Sequence, residues 1–361
     1  MASVPKAMRA VLIKGDKGPS SALYIGDAPT PKIDLTSNNV IVKTKAFALN
    51  RMDLLQREGK YPVPPGASKI LGVEFSGTVA EVGSGAAHFK VGDPVFGLTM
   101  GGAYAEYVSI PAPMLLHKPS ALSWVQAAAI PEAFLTAYQA LHVIGELKRG
   151  EDVLVHAGAS SVGLAAIQLA KNAGANRIYV TAGTAGKMDT CKSLGATDAF
   201  NYKEENWKDA LMRATDNKGV DIIMDFVGAP YFANNIASLK LDGRLIIQGL
   251  MGGYNVQDCN IVPILLKRLR IEGSTLRSRG LEYQSMLVQD FFHGGGLDAI
   301  VHGSSTGHTE LEDRVRVYKV VDWKDIKDAQ DEMAENKSRL KACLGQTLTR
   351  RHWKEYASTE N

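Results

Sequence analysis

The stretch "VHAGASSVG" at residues 155–163 sets Gly158, Ser160 and Gly163 at the spacing of a G-x-G-x-x-G turn, with serine for the middle glycine. Each position has a mechanical task. Gly158 permits the tight turn, a small residue at 160 lets a pyrophosphate approach the backbone, and Gly163 lets the following helix pack on its strand. A helix opening at Ser161 and Val162 offers N–H groups and the positive end of its dipole to phosphate. The chemistry is the cradling of a dinucleotide. A degenerate glycine motif is a weak signal alone, and its plain alternative is a packing turn. Here it follows an apolar run, opens a helix and comes first in a β-α-β-α-β series.

A second position bears on which dinucleotide. Enzymes that read an unphosphorylated ribose place Asp or Glu about 20 residues past the motif, at the end of the second strand. In "VTAGTAGK" (180–187) that place is Gly183. A carboxylate there would repel a 2′-phosphate, so its absence removes the preference for NADH. Lys187, at the start of the next helix, could pair its ammonium with the phosphate. Tyr202, after the third strand, could add a phenol donor. The pattern therefore points to NADPH, with Lys187 as an ordinary surface lysine the alternative.

The elements that must position these residues follow from the hydrophobic pattern. Residues 8–130 are rich in strand and turn signals, among them "RAVLIK", "NVIVKTKAFALN" and "EFSGTVAEVG". "YPVPPGASK" (61–69) must be loop, because Pro62, Pro64 and Pro65 exclude a helix or a central strand. From Ala127 onward helical stretches alternate with continuous apolar runs such as "EDVLVHAG", "RIYVTAG" and "VDIIMDFVG". Runs of that kind belong to a parallel sheet covered on both faces. The expectation is an α/β chain: a β-rich domain over 1–130 completed by 279–345, a doubly wound domain over 131–278, and a C-terminal tail over 346–361.

Bulk properties exclude several classes. A net charge of +3 on 361 residues leaves no electrostatic footprint for nucleic acid or an anionic membrane. No apolar run approaches the roughly 18 residues needed to span a bilayer. "MASVPKAMRAVLIKGDKG" is basic but lacks a secretory apolar core and cleavage site. Cys191, Cys259 and Cys343 are too sparse for a disulfide framework or a zinc knuckle, and are expected to be reduced, buried thiols of a cytoplasmic protein. The eight histidines show no ligand spacing, and His156, in its strand, is expected to bond within the core.

As a set, "LGVEFSGTVAEVGSG", "VGDPVFGL", "GGAYAEYV", "AAIPEAFLTAYQAL" and "VLVHAGASSVGLAAIQLAK" resemble the medium-chain dehydrogenase/reductase superfamily. Within it, "ALNRMDLLQREGKYPVPPGASKILGVEFSG" and "NYKEENW" resemble the zinc-free quinone oxidoreductases. The resemblance covers about 8–340. It implies a GroES-like catalytic domain built from both chain ends around a Rossmann domain, and homodimers joined along the edge of the parallel sheet. The final strand of that sheet, near "RIEGSTL", is expected to be an apolar edge that invites such pairing. Where zinc-dependent members hold the metal with Cys, His and Cys, this chain has Asn50, Val73 and Glu132. Two of these cannot replace such ligands, and the four-cysteine structural lobe is missing, so no metal is assigned.

Without a Lewis acid the chemistry must suit hydride transfer from NADPH to an already electrophilic acceptor, a quinone or a conjugated enone. The resemblance turns Asn50 and Tyr61 toward nicotinamide and substrate. Tyr61 could donate to the developing oxyanion or stack, or merely line its loop. Asn50 could hold the substrate or orient water, or bond only backbone. Further cofactor contacts carried over are Thr136, Ser160, Ser161, Val162, Gly249, Met251, Leu276 and Asn336. One departure is the stretch "SRLKACLGQTL", where relatives end in a strand of the type "GKIVL". Competing expectations are an enone or 2-alkenal reductase on the same scaffold and, from another class, a non-catalytic NADPH-binding protein of the zeta-crystallin kind.

Overall fold

The computed structural model describes residues 4–303, 310–335 and 341–344. The expected tail over 346–361 and the candidate Asn336 lie outside the described residues. The chain divides into two compact units. One comprises Met1–Glu132, Gln284–Gln289 and the chain from Val315; the other comprises Ala133–Tyr283 and Asp290–Arg314.

In the first unit, β1 (Ala7–Ile13) and β2 (Leu23–Pro29) form an antiparallel pair. The long strand β3 (Asn39–Leu49) organises a second sheet with β4 (Glu74–Val82), β5 (Pro94–Leu98), β6 (Tyr107–Pro111) and β7 (Leu115–His117). In "NVIVKTKAFAL" two buried runs, Val40–Val42 and Ala46–Leu49, flank the alternating Lys43, Thr44 and Lys45, and Phe47 stacks on Tyr104 with ring centroids 4.4 Å apart. Two helices join this unit: α1 (Arg51–Arg57) directly after β3, and α2 (Trp124–Ala128), whose capping serine Ser123 accepts from the N–H of Gln126 at 3.2 Å. Helix α3 (Pro131–Tyr138) carries the chain into the second unit.

There the apolar runs become six parallel strands: β8 (Asp152–Val155), β9 (Arg177–Ala182), β10 (Asp198–Asn201), β11 (Val220–Asp225), β12 (Leu239–Ile247) and β13 (Arg270–Gly273). Their order, β10-β9-β8-β11-β12-β13, is the doubly wound order of a dinucleotide-binding sheet. Helices α4 (Ser161–Asn172), α5 (Ala185–Ser193), α6 (Trp207–Ala214) and α7 (Ala229–Ser238) alternate with them, and the short α8 (Val262–Leu266) precedes β13. Leu154, Tyr179, Trp207, Leu211 and Ile223 share one core cluster, so the middle strands are covered as their unbroken apolarity requires. Finally β14 (Lys319–Asp322) and β15 (Lys341–Leu344) return to the first sheet, which runs β14-β15-β3-β4-β5-β7 with β6 also on β3.

Three expectations are corrected. The segment 279–345 does not go as a whole to the β-rich unit: Asp290–Arg314 clusters with the parallel sheet. Phe291 packs on Tyr138 at 5.6 Å, and the Gln168 side-chain amide donates to the Arg314 carbonyl at 3.0 Å. Cys191 is buried as expected, but Cys259 is only half-buried. The edge strand β13, expected to be apolar, carries the ion pair Arg270–Glu272 at 2.7 Å; the apolar exposure lies just before it, at Tyr254, Ile261, Leu265 and Leu266.

Candidate functional site

The turn between β8 and α4 requires both of its glycines. A Cβ at Gly158 would stand 2.6 Å from the Val180 Cβ, and one at Gly163 would stand 2.5 Å from the Gly158 carbonyl oxygen. The Gly158 N–H donates to the Thr181 carbonyl at 2.9 Å, pinning the turn to β9. Ser160 does more than stay small: its hydroxyl caps α4 by accepting from the Gly163 N–H at 3.1 Å. Ser161 and Val162 follow as the first residues of the helix, at the positive end of its dipole.

At the end of β9, the space a side chain at 183 would fill is already occupied. A Cβ on Gly183 would meet the Tyr202 hydroxyl at 2.8 Å and the Lys203 Cε at 3.2 Å. The structure thus brings Gly183 and Tyr202 together as the sequence suggested, and adds Lys203, which sequence reasoning missed. Lys203 stands in an irregular stretch with no periodic signal; its place beside Tyr202 in "NYKEENW" was the only hint. Lys187 lies in the first turn of α5, whose N-cap Thr184 accepts from the Lys187 N–H at 3.4 Å. Among the described residues neither Lys187 nor Lys203 pairs its ammonium with a carboxylate.

The loop after β12 lies on the loop after β11. The Met251 N–H donates to the Phe226 carbonyl at 3.1 Å, and a Cβ at Gly249 would sit 3.3 Å from that same oxygen. Met251 is exposed and Leu276 is buried. Four side chains of this unit carry buried polar atoms without a hydrogen-bond partner: the Thr136 hydroxyl, on α3, Gln139 Oε1, the Ser238 hydroxyl and both amide atoms of Gln248, just after β12. Buried polar atoms are rarely left in that state, and a polar ligand is one way to satisfy them. Glycine cradle, helix start and orphaned polar atoms together fit a nicotinamide dinucleotide.

In the β-rich unit Asn50 follows β3 and is held by its side chain, not by backbone alone. Its Nδ2 donates to Glu74 Oε1 at 2.8 Å, and the Glu132 N–H donates to Glu74 Oε2 at 2.8 Å. Glu74 is fully buried, and desolvation pushes its carboxyl up to about 8 against the two donors that favour the charged form. Beneath it, the buried Asp53 accepts from the Asn50 N–H at 2.8 Å, the Gly72 N–H at 3.2 Å and the Tyr104 hydroxyl at 2.9 Å. Tyr61 is half-buried in the irregular segment between α1 and β4. Glu74 was not singled out from the sequence; the signal was a carboxylate at the head of a strand, "EFSGTVAEV", whose next six residues are uncharged.

Residues 36–120 match the alcohol dehydrogenase GroES-like domain, and residues 161–307 match the zinc-binding dehydrogenase family. The human quinone oxidoreductase is 34% identical over 281 residues, 77% of this chain and 83% of that protein. The chain belongs to the quinone oxidoreductases of the medium-chain dehydrogenase/reductase superfamily. The solved Pseudomonas syringae quinone oxidoreductase superposes with a TM-score of 0.76 at 26% identity, over 93% of this chain and 99% of that one. A mycobacterial protein solved in complex with NADPH gives a TM-score of 0.77 at 27% identity, over 93% and 99%. The chain is therefore an oxidoreductase built from a GroES-like and a Rossmann-like unit.

For a medium-chain dehydrogenase/reductase the zinc positions need a direct test. Asn50 has its amide N–H committed to Glu74, Val73 is a buried hydrocarbon, and Glu132 meets Glu74 through its backbone. Zinc requires three protein ligands of the thiolate, imidazole or carboxylate kind, and this donor set does not fit it. Among the described residues no group of three His, Cys, Asp or Glu side chains is placed to hold a metal ion. Nor, among the described residues, is any helix long and apolar enough to cross a membrane.

Proposed function

We propose that this protein is an NADPH-dependent quinone reductase that works without a metal ion. The observation that carries the reading is the corner at Gly183, where the Tyr202 hydroxyl and the Lys203 stem stand in the place a ribose-reading carboxylate would take. The capped turn at Gly158–Gly163 would hold the pyrophosphate, while Tyr202, Lys187 and Lys203 would meet the 2′-phosphate. Thr136 and Gln248 would lend their unpaired polar atoms to the cofactor, with Gly249, Met251 and Leu276 lining it. Bound NADPH supplies the hydride.

On the substrate side Asn50, fixed by Glu74, would hold a carbonyl oxygen of the acceptor. Tyr61, in a loop stiffened by Pro62, Pro64 and Pro65, would donate to the oxygen that gains negative charge. A quinone that accepts a hydride and a proton leaves as the hydroquinone. The names of the relatives support the quinone as acceptor; a conjugated enone or 2-alkenal asks the same of the site. NADPH oxidation followed against ortho-quinones, para-quinones and 2-alkenals tests the choice. Turnover of quinones supports it, and turnover of alkenals alone overturns it.

The same reading makes the protein a cytoplasmic homodimer. Tyr254, Ile261, Leu265 and Leu266, before the edge strand β13, are exposed apolar side chains that a second copy would cover. Light scattering at micromolar concentration should give the mass of two chains; a monomer contradicts the assignment.

A further inference from the structure

At the carboxyl ends of β9, β8 and β11, three neighbouring strands, four buried polar side chains join in one chain of hydrogen bonds. The Asp225 carboxylate accepts from the Val227 N–H at 2.7 Å and from the Gly228 N–H at 3.2 Å, and so shapes the loop after β11. It also accepts from Asn235 Nδ2, on α7, at 3.1 Å. That bond fixes which way the Asn235 amide faces and leaves its Oδ1 against His156 Nε2 at 2.7 Å. Since Oδ1 can only accept, His156 carries its proton on Nε2 and presents a bare Nδ1. The Thr181 hydroxyl lies 3.0 Å from that Nδ1 and must donate to it. Its oxygen then remains to accept from the Ala157 N–H, at 3.3 Å.

The far end of this chain is Ala157, the residue just before Gly158. Ala157 has a φ of 49°, a left-handed backbone that a residue with a Cβ adopts only when its surroundings hold it there. Its carbonyl accepts from the Ser160 N–H at 2.8 Å, so its conformation sets where the capped start of α4 begins. The imidazole is sealed by Trp207 and Tyr231, whose rings meet it edge-on at 4.6 and 4.8 Å. Full burial pushes its pKa down to about 4, which keeps it neutral and the direction of every bond fixed.

We propose that Asp225, Asn235, His156 and Thr181 form a positioning relay that holds the Ala157–Gly163 turn in the backbone conformation that receives the dinucleotide pyrophosphate. His156 and Thr181 are thereby positioning residues for the cofactor, acting through the turn and touching no substrate. The proposal rests on the reading of this turn as the NADPH cradle. The relay ends at the pyrophosphate cradle and not at the Gly183 corner, so its loss should weaken both dinucleotides by the same factor and leave the preference between them unchanged.

Thr181→Val keeps shape and strand propensity while removing the hydroxyl that joins His156 to Ala157; Thr181→Ser keeps the hydroxyl. NADPH and NADH affinities are measured by fluorescence titration, turnover at saturating NADPH by quinone reduction, and stability by thermal unfolding. Thr181→Val should weaken both cofactors by about fivefold, the worth of one modest hydrogen bond. Turnover at saturation should stay within about twofold, and Thr181→Ser should bind as the wild type does. Wild-type affinities in Thr181→Val, whether or not its melting temperature falls, would overturn the relay. So would a loss confined to NADPH. A wild-type protein that binds neither dinucleotide would overturn the reading of the cradle itself.

Discussion

The nucleotide turn and the Asn50 corner both put polar chemistry beside hydrophobic core, but they are built from opposite materials. The turn is local and made of backbone: within nine residues, Gly158 and Gly163 vanish as side chains so that strand, turn and helix can close on one another. The Asn50 corner is non-local and made of buried side chains. Asn50 and Asp53 come from one segment, Glu74 from the next strand, Tyr104 from beyond β5 and Glu132 from the head of α3. The first kind of site fails when a side chain is added, the second when one is removed or changes its charge.

The largest effect should therefore come from adding atoms to the turn. Gly158→Val would drive a branched side chain into Val180, and should destabilise the protein by about 3 kcal/mol and abolish NADPH binding. Urea unfolding with a parallel cofactor titration checks it. A variant that kept both stability and binding would show that the turn is not the tight, backbone-built cradle described above.

The charge-built corner should reveal itself through pH. Glu74 has its pKa raised, so it favours folding below its unfolded value near 4.5, and that support is withdrawn as pH rises toward 8. His156, lowered to about 4, acts in the opposite sense between pH 4 and its ordinary 6.5, where stability rises with pH. Between pH 6.5 and 8 only Glu74 of the two remains active. The wild type should lose on the order of 2 kcal/mol from this group over that interval, and Glu74→Gln should flatten the loss. Equal pH slopes in the two proteins would place the ionisation elsewhere.

A smaller contrast concerns Tyr61. Tyr61→Phe should lower quinone turnover by about 2 kcal/mol in the barrier, roughly thirtyfold, while NADPH affinity stays unchanged. Full turnover in Tyr61→Phe would reduce the residue to a wall of its loop.

The same contrast explains what could be read in advance. The doubly wound sheet was legible because its strands are continuous apolar runs separated by glycine-bearing turns, and the periodicity of "VLVHAGASSVGLAAIQLAK" alone sets β8, the turn and α4 in order. Gly183 and Tyr202 were legible as spacing along that series. Helix α1 was hidden, because only the ten residues 51–60 separate the end of "NVIVKTKAFALN" from the proline-rich loop, and the helix itself takes seven of them. Glu74 was hidden too, since no local pattern tells a carboxylate where Asn50 and the Glu132 amide will come from. Lys203 needed the third dimension for the same reason: its stem meets Gly183 across two parallel strands. The exposed apolar face was assigned to β13 itself because "RIEGSTL" looks apolar as a string, whereas the fold pairs Arg270 with Glu272 and leaves the bare surface to the preceding loop and α8.

The claim that joins fold to function is that the Gly183 corner selects a 2′-phosphate. The most direct measurement is a fluorescence titration of the wild-type protein and Lys203→Ala with NADPH and NADH under the same salt. The wild type should bind NADPH at least about tenfold more tightly, as a charge-assisted phosphate contact of roughly 2 kcal/mol allows, and Lys203→Ala should lose part of that preference with NADH unaffected. Equal affinities of the wild type for the two cofactors would contradict the account.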